Sequence, residues 1–503
     1  MGFCSVLSAA VNGINVEIIN VEADVTNGLP VFMMVGYLSS EVKEAVERVR
    51  TAINNSLTEF PVKNVMVNLS PVSIRKKGAA FDLPIAIAIL AADQKINLPD
   101  NETIFAGELG LNGDVKGIKG ILPIVLKAKE KGIKTCYIPK ANEKEGGLVE
   151  GIEIIGVSNL KEIILCLQGK RTIKHTYNKA ISTDDDNCPE VDFKDIYGQD
   201  SLKRAVFIAV AGGHNVLMSG PPGSGKTLMA KAMSGIFPPM SKDEIMEVTK
   251  IYSVLGDLNE KTPYINRRPF RYVHHTATKS AVVGGGIIPV PGEISLAHKG
   301  VLFLDELPEF KREVIEVLRE PLEEHKILLS RKNGSYTYPA DFILVAAMNP
   351  CPCGYYPDRN KCNCRQYDID RYRSKITGPF LDRIDICIET KKVEYKVLKK
   401  CENSKSSETI RRQVIKVRNI QKERYKNEEF DLNARIPGKL IKKYCCLGRD
   451  EENLMENIYD SFNITARSYH KILKVARTIA DIDEEENINC DHLMEAVAYR
   501  SEI

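Results

Sequence analysis

Short apolar runs, each ended by polar or turn-forming residues, recur along the chain and predict a mixed α/β fold. Residues 15–21 and 64–69 alternate between apolar and polar positions, which is typical of strands with one buried face. Residues 41–53 have apolar positions at helical spacing, and residues 83–90 are apolar enough for a helix buried on most sides. We therefore predict a first α/β domain over 1–168.

The middle of the chain changes to continuous apolar runs, which indicate strands buried on both faces. Three such runs span 215–219, 301–304 and 342–348, and helical patterns cover 201–211 and 228–233. Alternation of buried strands with helices is typical of a parallel sheet covered by helices. We predict that this second domain spans 191–390.

The two ends of this core are marked by changes in composition. Residues 169–190 are polar and switch from basic to acidic, as expected of a linker. From 391 to 503 the sequence is charged and helical, with amphipathic patterns over 467–480 and 489–499. A strongly basic helix over 411–425 is more typical of a solvated face than of a DNA surface.

The first buried strand and its following helix flank a phosphate-binding P-loop. The motif comprises Gly220, Pro221, Pro222, Gly223, Ser224, Gly225, Lys226 and Thr227. Its glycines allow backbone N–H groups to surround phosphate oxygens at a helix N-terminus. Lys226 would reach the β- and γ-phosphates of ATP, and the Thr227 hydroxyl would bind Mg²⁺.

Two later strands end in residues that suit nucleotide hydrolysis. Asp305 and Glu306 follow the second run, in the Walker B pattern. Asp305 would hold Mg²⁺ and Glu306 would polarise the attacking water as a general base. Asn349 ends the third run, where an amide can orient that water and contact the γ-phosphate. These residues predict a catalytic nucleotide site.

Composition excludes several classes of protein. The 503 residues carry a net charge of only +3, so nucleic-acid binding would depend on local patches. No apolar run is long enough to span a membrane, and the N-terminus lacks signal-peptide architecture. With 13 cysteines and no export signal, a disulfide scaffold is not expected. We therefore expect a cytoplasmic protein without a membrane partner.

Four cysteines form two closely spaced pairs directly after Asn349. They are Cys351, Cys353, Cys362 and Cys364. Four thiolates in one loop suit tetrahedral zinc in a structural role, because no ligand position is left open for catalysis. Since the Cys-x-Cys spacing is tighter than that of common zinc ribbons, four reduced thiols in a turn-rich loop remain the alternative.

The strings 77–88 and 106–115 resemble the ribosomal-S5-like fold of Lon-type protease domains and of the first domain of magnesium-chelatase-like ATPases. In Lon-type proteases a serine and a lysine form a catalytic dyad. Here Ala80 stands where the serine is expected, and Leu122 or its neighbours stand where the lysine is expected. The resemblance therefore implies a non-proteolytic S5-like (Lon-protease-like) α+β domain.

Together with the P-loop and Walker B strings, residues 379–385 and 465–468 make the whole chain resemble AAA+ ATPases. Within these it resembles the magnesium-chelatase-like YifB/ComM family. The resemblance implies an AAA+ P-loop ATPase core with a helical lid that brings sensor 2 over the nucleotide. It implies that Asn349 is sensor 1, Arg383 the arginine finger and Arg467 sensor 2. Because an arginine finger acts on a neighbouring subunit, the active form would be a ring, and the resemblance implies that this ring is a homo-hexamer.

Two insertions distinguish this chain from simpler AAA+ modules. A Gly-rich stretch over 267–298 includes His274 and His275. The second insertion, 326–338, has an Asn-Gly turn between alternating apolar positions, which predicts a hairpin with Arg331 and Lys332 at its tip. The resemblance would direct this hairpin into the ring's pore, where repeated cations could contact single-stranded or branched DNA. A solvated hairpin tip is the alternative.

The favoured function is an ATP-driven ring motor on DNA, with the helicase-like branch migration in recombination or transformation that the family implies. The alternatives are a metal-chelatase ATPase subunit, a Lon-like protease and a regulatory ATPase that acts on a protein partner. Chelatase ATPase subunits lack the S5-like domain, so no porphyrin is expected as a substrate. Ala80, in the position expected for the catalytic serine, argues against a protease.

Overall fold

The apolar runs form two separate sheets in the computed structural model, which describes residues 2–99, 102–173, 190–286, 289–331, 334–392, 405–461 and 464–500. Contacts divide the chain into two units. The first comprises Met1–Thr183, Ser241–Asn266 and Leu329–Tyr338, and the second comprises Asp184–Met240, Arg267–Leu328 and Pro339–Ile503. The predicted linker falls largely on 174–189, outside the described residues, and the predicted domain limits stay predictions.

The strands are β1 Gly2–Asn12, β2 Asn15–Thr26, β3 Phe32–Val35, β4 Asn64–Ser70, β5 Thr103–Phe105, β6 Glu108–Leu109, β7 Val115–Lys116, β8 Thr135–Pro139, β9 Glu153–Val157, β10 Val216–Ser219, β11 Phe270–Val273, β12 Gly284–Gly285, β13 Val290–Pro291, β14 Val301–Leu304, β15 Lys326–Arg331, β16 Gly334–Pro339, β17 Ile343–Met348 and β18 Ile386–Glu389.

The α-helices are α1 Ser40–Lys43, α2 Ala45–Asn54, α3 Asp82–Ala92, α4 Ile121–Glu130, α5 Glu143–Gly146, α6 Leu160–Leu167, α7 Asp200–Gly212, α8 Lys226–Met233, α9 Lys242–Leu255, α10 Lys279–Val283, α11 Glu293–Leu296, α12 Arg312–Val317, α13 Arg319–Glu324, α14 Gln366–Arg373, α15 Gly378–Leu381, α16 Ser407–Arg424, α17 Ile441–Tyr444, α18 Arg449–Ser461, α19 Ala466–Ile482 and α20 Cys490–Ala498.

The first unit is built on a mixed seven-stranded sheet in the order β3-β4-β2-β1-β5-β8-β9. Its alternating strands β1, β2 and β4 pair antiparallel, whereas β5, β8 and β9 run parallel. Helix α3 is buried on all sides except at Ala91, as the unbroken apolar run predicted. The buried carboxylate of Asp82 is paired with Arg48 Nε at 2.8 Å.

The second unit contains a parallel five-stranded sheet in the order β11-β14-β17-β10-β18. Its central strands are continuous apolar runs because helices cover both faces. Strand β10 lies between β17 and β18, and all carboxyl ends meet at one edge. That edge of an open parallel sheet is where ligands bind in α/β proteins.

The C-terminal helices α16 to α20 pack with α7 and α8 in a single apolar core. Helix α16 contains the predicted basic stretch, but several of its cations are only partly exposed. Arg411 Nε donates to Gly235 O at 3.1 Å, and Arg418 donates to Val210 O at 2.6 Å. Arg424 is paired with the buried Asp481. The prediction of a solvated basic face is wrong at these three positions, because the arginines satisfy buried carbonyls and a carboxylate.

The predicted helix over 41–53 is divided into α1 and α2. The division falls at Glu44, whose N–H reaches both Ser40 O and Val42 O in a tightened turn. The other predicted strands and helices are present, with ends that differ by a few residues.

Candidate nucleotide site

The P-loop has the geometry of a phosphate cradle. Strand β10 ends at Ser219, and α8 begins at Lys226. Gly223 and Gly225 have φ of +72° and +85°, a left-handed conformation that favours glycine. A Cβ added at either position would meet no atom within 4 Å, so the loop faces open space. This open concave backbone at a helix N-terminus fits the phosphates of a nucleotide.

Lys226 lies inside this cradle. Its Nζ donates to Gly220 O at 2.7 Å, to Pro221 O at 3.0 Å and to Asn349 Oδ1 at 3.4 Å. Burial lowers the pKa of Lys226. A phosphate anion beside Lys226 would stabilise the charged ammonium and so act against the effect of burial on its pKa. The structure thus places the predicted sensor amide and the predicted phosphate-binding amine side by side.

A hydroxyl and a carboxylate meet beside the P-loop. Thr227 Oγ1 donates to Asp305 Oδ2 at 3.1 Å. Asp305 directly follows β14, which neighbours β17 in the sheet. Mg²⁺ prefers a few hard oxygen ligands with water in its remaining positions, so this pair fits the ion that the sequence predicts here.

Glu306 is held by a residue that the sequence analysis gave no role. Its backbone has a left-handed φ of +53°, and its side chain is about half exposed, at 52%. Oε2 lies 3.2 Å from His275 Nδ1. His275 follows β11 and Glu306 follows β14, which are adjacent parallel strands. Only this strand order, which sequence patterns do not give, would have identified the histidine.

Two further residues shape the loop. Thr390, just after β18, shares a hydrogen bond with Ser224 Oγ at 2.7 Å. A Cβ on Gly220 would fall 2.0 Å from Thr390 Oγ1, so the first motif glycine is required by close packing. Gln199, before α7, donates to Ser224 O at 3.1 Å. The Thr390 contacts depend on β10 and β18 being neighbours, and the Gln199 contact depends on how the start of α7 packs, so neither follows from a local sequence pattern.

The two predicted catalytic arginines lie together in a cleft of about 1340 Å³. Arg383 is only 8% exposed, and it donates to Arg319 O at 3.1 Å and is paired with Glu323 at 2.7 Å. Arg467 is exposed and lies 3.8 Å from Asp382. Among the described residues that line this cleft, none belongs to the P-loop or the Walker B pair. The sensor 2 role of Arg467 therefore stays a prediction.

Many charged side chains line the cleft. Burial acts to raise the pKa of Asp385, but the Lys471 ammonium at 2.5 Å outweighs burial, and this pKa is lowered to about 2. Burial lowers the pKa of Lys474 to about 8. The cleft therefore presents charged groups to any ligand at neutral pH.

The four cysteines converge as predicted. Their Sγ atoms all lie within 4.8 Å of one another, and Cys351 Sγ lies 3.3 Å from Cys353 Sγ and 3.7 Å from Cys362 Sγ. Four sulfurs on a tetrahedral zinc ion, with Zn–S of about 2.3 Å, lie about 3.8 Å apart. The set formed by Cys351, Cys353, Cys362 and Cys364 fits one such ion.

The predicted hairpin is formed by β15 and β16. Arg331 is exposed, whereas Lys332 lies outside the described residues. Farther along, Tyr336 is buried within the first unit, where Lys77 Nζ donates to its hydroxyl at 3.3 Å. A Cβ on Gly13 would lie 3.2 Å from the Tyr336 ring. At Tyr336 the stem of the hairpin is thus packed against the turn between β1 and β2, whereas alternate residues along both strands, Lys326 among them, are exposed.

The first unit shows no trace of the protease dyad at the aligned positions. Leu122 is fully buried, and its N–H donates to Glu145 Oε1 at 3.0 Å. Ala80 offers only a backbone carbonyl, which accepts from Gly107 N. Among the described helices, none combines the length and apolarity needed to cross a bilayer.

A parallel sheet with a P-loop after β10, and a carboxylate pair after β14 on the other side of the central strand β17, defines a P-loop ATPase of the AAA+ class. Comparison with known proteins agrees. Residues 192–398 match the family described as magnesium chelatase, subunit ChlI. Residues 21–142 match the family described as subunit ChlI of Mg-chelatase, and 404–500 match its C-terminal family.

Relatives that are similar over their whole length identify the family more narrowly. The chain is 40% identical over 504 residues to YifB of Salmonella typhimurium, covering 100% of this chain and 97% of that protein. It is 39% identical over 508 residues to competence protein ComM of Haemophilus influenzae, covering 100% and 98%. Over 126 residues, 25% of this chain and 22% of the relative, it is 32% identical to Lon protease 2 of Bacillus subtilis.

The chain belongs to the magnesium-chelatase-like YifB/ComM family of AAA+ proteins. Membership makes it an ATPase, with ATP and Mg²⁺ as the cofactors that the family implies. The Lon-like region agrees with the S5-like fold expected of the first domain.

Proposed function

We propose that the chain is an ATP-hydrolysing motor that acts on DNA as a ring of identical copies, with helicase-like branch migration as its activity. The observation that carries the proposal is the convergence of Lys226, Thr227, Asp305 and Asn349 at one sheet edge. Together with the nearby Glu306 as general base, this set supplies the polar groups that phosphoryl transfer to water needs from one subunit, except a transition-state cation.

Each residue has a role in this proposal. Lys226 binds the β- and γ-phosphates, and Thr227 and Asp305 hold Mg²⁺, which when bound neutralises phosphate charge. Asn349 orients the attacking water near the γ-phosphate. Glu306 accepts a proton from that water after its side chain turns from His275 towards the P-loop.

The missing cation comes from a second copy. Arg383 and Arg467 share a cleft that the described P-loop residues do not line. Both would complete the nucleotide site of a neighbouring subunit, as an arginine finger does in trans. Arg383 must first exchange its Glu323 partner for phosphate. In a closed ring of identical copies, which we propose to be a homo-hexamer, every copy makes the same contact with the next. Each nucleotide site then receives its arginines from a neighbouring copy.

DNA is the proposed substrate of the motor. The relative named as a competence protein is similar over the whole chain. Arg331 at the hairpin tip is exposed, and a ring would repeat it together with Lys332 in every copy. Such a cation ring suits a phosphate backbone without sequence readout.

The four-cysteine cluster is the proposed zinc site. Its role would be structural, because all four positions around a tetrahedral ion are filled by protein thiolates. The ion would cross-link two segments of one loop.

The test of the proposed function is ATP hydrolysis by the purified chain, alone and with single-stranded, duplex and four-way-junction DNA. Lys226→Ala serves as the blank. We expect DNA to stimulate hydrolysis and the double variant Arg331→Ala/Lys332→Ala to abolish the stimulation. The log-affinity of this variant for single-stranded DNA should depend less steeply on log salt, by about 0.7 for each phosphate that it no longer neutralises. Lys326→Ala, an exposed cation at the base of the same hairpin, is the matched control.

Hydrolysis that is indifferent to every DNA would contradict the DNA motor and favour a regulatory ATPase with a protein partner. Equally impaired stimulation in Lys326→Ala would contradict the role assigned to the hairpin tip.

A further inference from the structure

The loop that carries the four cysteines also touches the nucleotide site. Asn349, which contacts Lys226 Nζ at 3.4 Å, stands two residues before the buried Cys351. We infer that metal binding by the cysteines positions Asn349 and the P-loop for nucleotide. This inference rests on the proposed ATPase and zinc sites.

The second contact is steric. Gly354 lies against Pro222 of the P-loop, and a Cβ added at Gly354 would fall 2.6 Å from Pro222 Cδ and 2.8 Å from Cγ. A proline ring is bonded to its own backbone nitrogen, so it cannot rotate away as a flexible side chain can. The position of the cysteine loop therefore limits the position of the P-loop backbone.

The apolar core of this loop is small. Its apolar cluster contains Cys351, Cys362 and Ile369, with Tyr356 packed against it. The Tyr356 ring is covered by the guanidinium groups of Arg359 and Arg373, at 5.0 and 5.5 Å from its centre. Cores this small are typically stabilised by a metal or by disulfides. Four thiolates on one ion would cross-link the loop on both sides of Gly354.

The metal site would act on the nucleotide site through these two contacts. With the cross-link in place, Gly354 supports Pro222 and Asn349 reaches Lys226. Without it, both supports depend on a loop whose apolar core is small. Removal of the metal should then weaken nucleotide binding, although no cysteine needs to touch the nucleotide.

The first experiment measures zinc content by mass spectrometry and affinity for a fluorescent ATP analogue in the full-length chain. Cys362→Ser should lose the zinc and bind the analogue about ten-fold more weakly or worse, the usual cost of removing a supporting group. Cys446→Ser, which removes an exposed thiol elsewhere in the chain, should change neither quantity.

The second experiment leaves the ligands intact, because Cys362→Ser could fail to fold. Gly354→Ala should keep the zinc and still weaken the binding of the analogue, since its methyl group displaces Pro222. The matched control is Gly132→Ala. Gly132 has a similar left-handed φ, +77° against +84°, but no atom within 4 Å of an added Cβ, so it reproduces the backbone strain without the contact.

The possible outcomes test the zinc site, the coupling and the nucleotide site separately. Wild-type protein without zinc would overturn both the zinc site and this inference, and would leave the ATPase untouched. Zinc that is lost in Cys362→Ser, with full affinity there and in Gly354→Ala, would overturn the coupling alone. Wild-type protein that binds no more analogue than Lys226→Ala would overturn the nucleotide site itself.

Discussion

At the scale of single residues, the chemistry of the site depends on where polar side chains stand at strand ends. Sequence patterns predicted Lys226, Thr227, Asp305 and Asn349 because a P-loop and two buried strands have recognisable signatures. They did not predict His275, which contacts Glu306 only because β11 and β14 are neighbours. Sheet order is decided by long-range packing, which a local pattern does not contain.

The role of Glu306 gives a prediction at this scale. Glu306→Gln should reduce ATP hydrolysis by about a hundred- to ten-thousand-fold, because a general base contributes that much, while ATP binding persists. Steady-state hydrolysis and binding of a fluorescent analogue measure the two effects. Glu309→Gln is the control, since Glu309 is another partly exposed glutamate on the same turn, paired with Lys375. Unimpaired hydrolysis in Glu306→Gln would refute the assignment.

At the scale of elements, the sequence predicted most strands and helices, because their apolar spacing follows directly from burial. It misjudged the surroundings of α16. A helix with many basic residues has the composition expected of a solvated face. Arg411 and Arg418 nevertheless donate hydrogen bonds to backbone carbonyl oxygens of the second unit. Burial of long cationic side chains is a tertiary property that periodicity does not reveal.

The contact between α16 and α19 gives the second prediction. The Asp481 carboxylate is fully buried and is paired with Arg424 and Arg477, so removing it leaves two guanidinium groups without their anionic partner. Asp481→Ala should destabilise the protein by about 3–5 kcal/mol. Urea unfolding followed by circular dichroism measures the decrease in the free energy of unfolding.

Glu484→Ala is the matched control for this prediction. Glu484 lies just beyond the same helix and is paired with Lys416 of α16, but both side chains are exposed. An exposed pair contributes about 1 kcal/mol or less. Equal destabilisation by the two substitutions would show that burial of Asp481 does not set the strength of this contact.

At the scale of the whole molecule, the central claim is that each ATP is hydrolysed between two copies of the chain. The P-loop half of the site is complete within one chain, whereas Arg383 and Arg467 line a cleft apart from it. Family resemblance predicted the trans role of Arg383. It did not predict that Arg467 lies in the same cleft, because that depends on how the lid packs.

Mixing two inactive variants tests this claim most directly. Glu306→Gln lacks the base but keeps Arg383, and Arg383→Ala lacks the finger but keeps the base. Thermal melting and binding of the ATP analogue first establish that both variants are folded. If the site is shared, the mixture contains interfaces that join an intact Glu306 to an intact Arg383, so we predict that hydrolysis rises well above that of either variant alone. A mixture no more active than the variants measured separately would show that each chain hydrolyses ATP with its own residues, and would contradict the account.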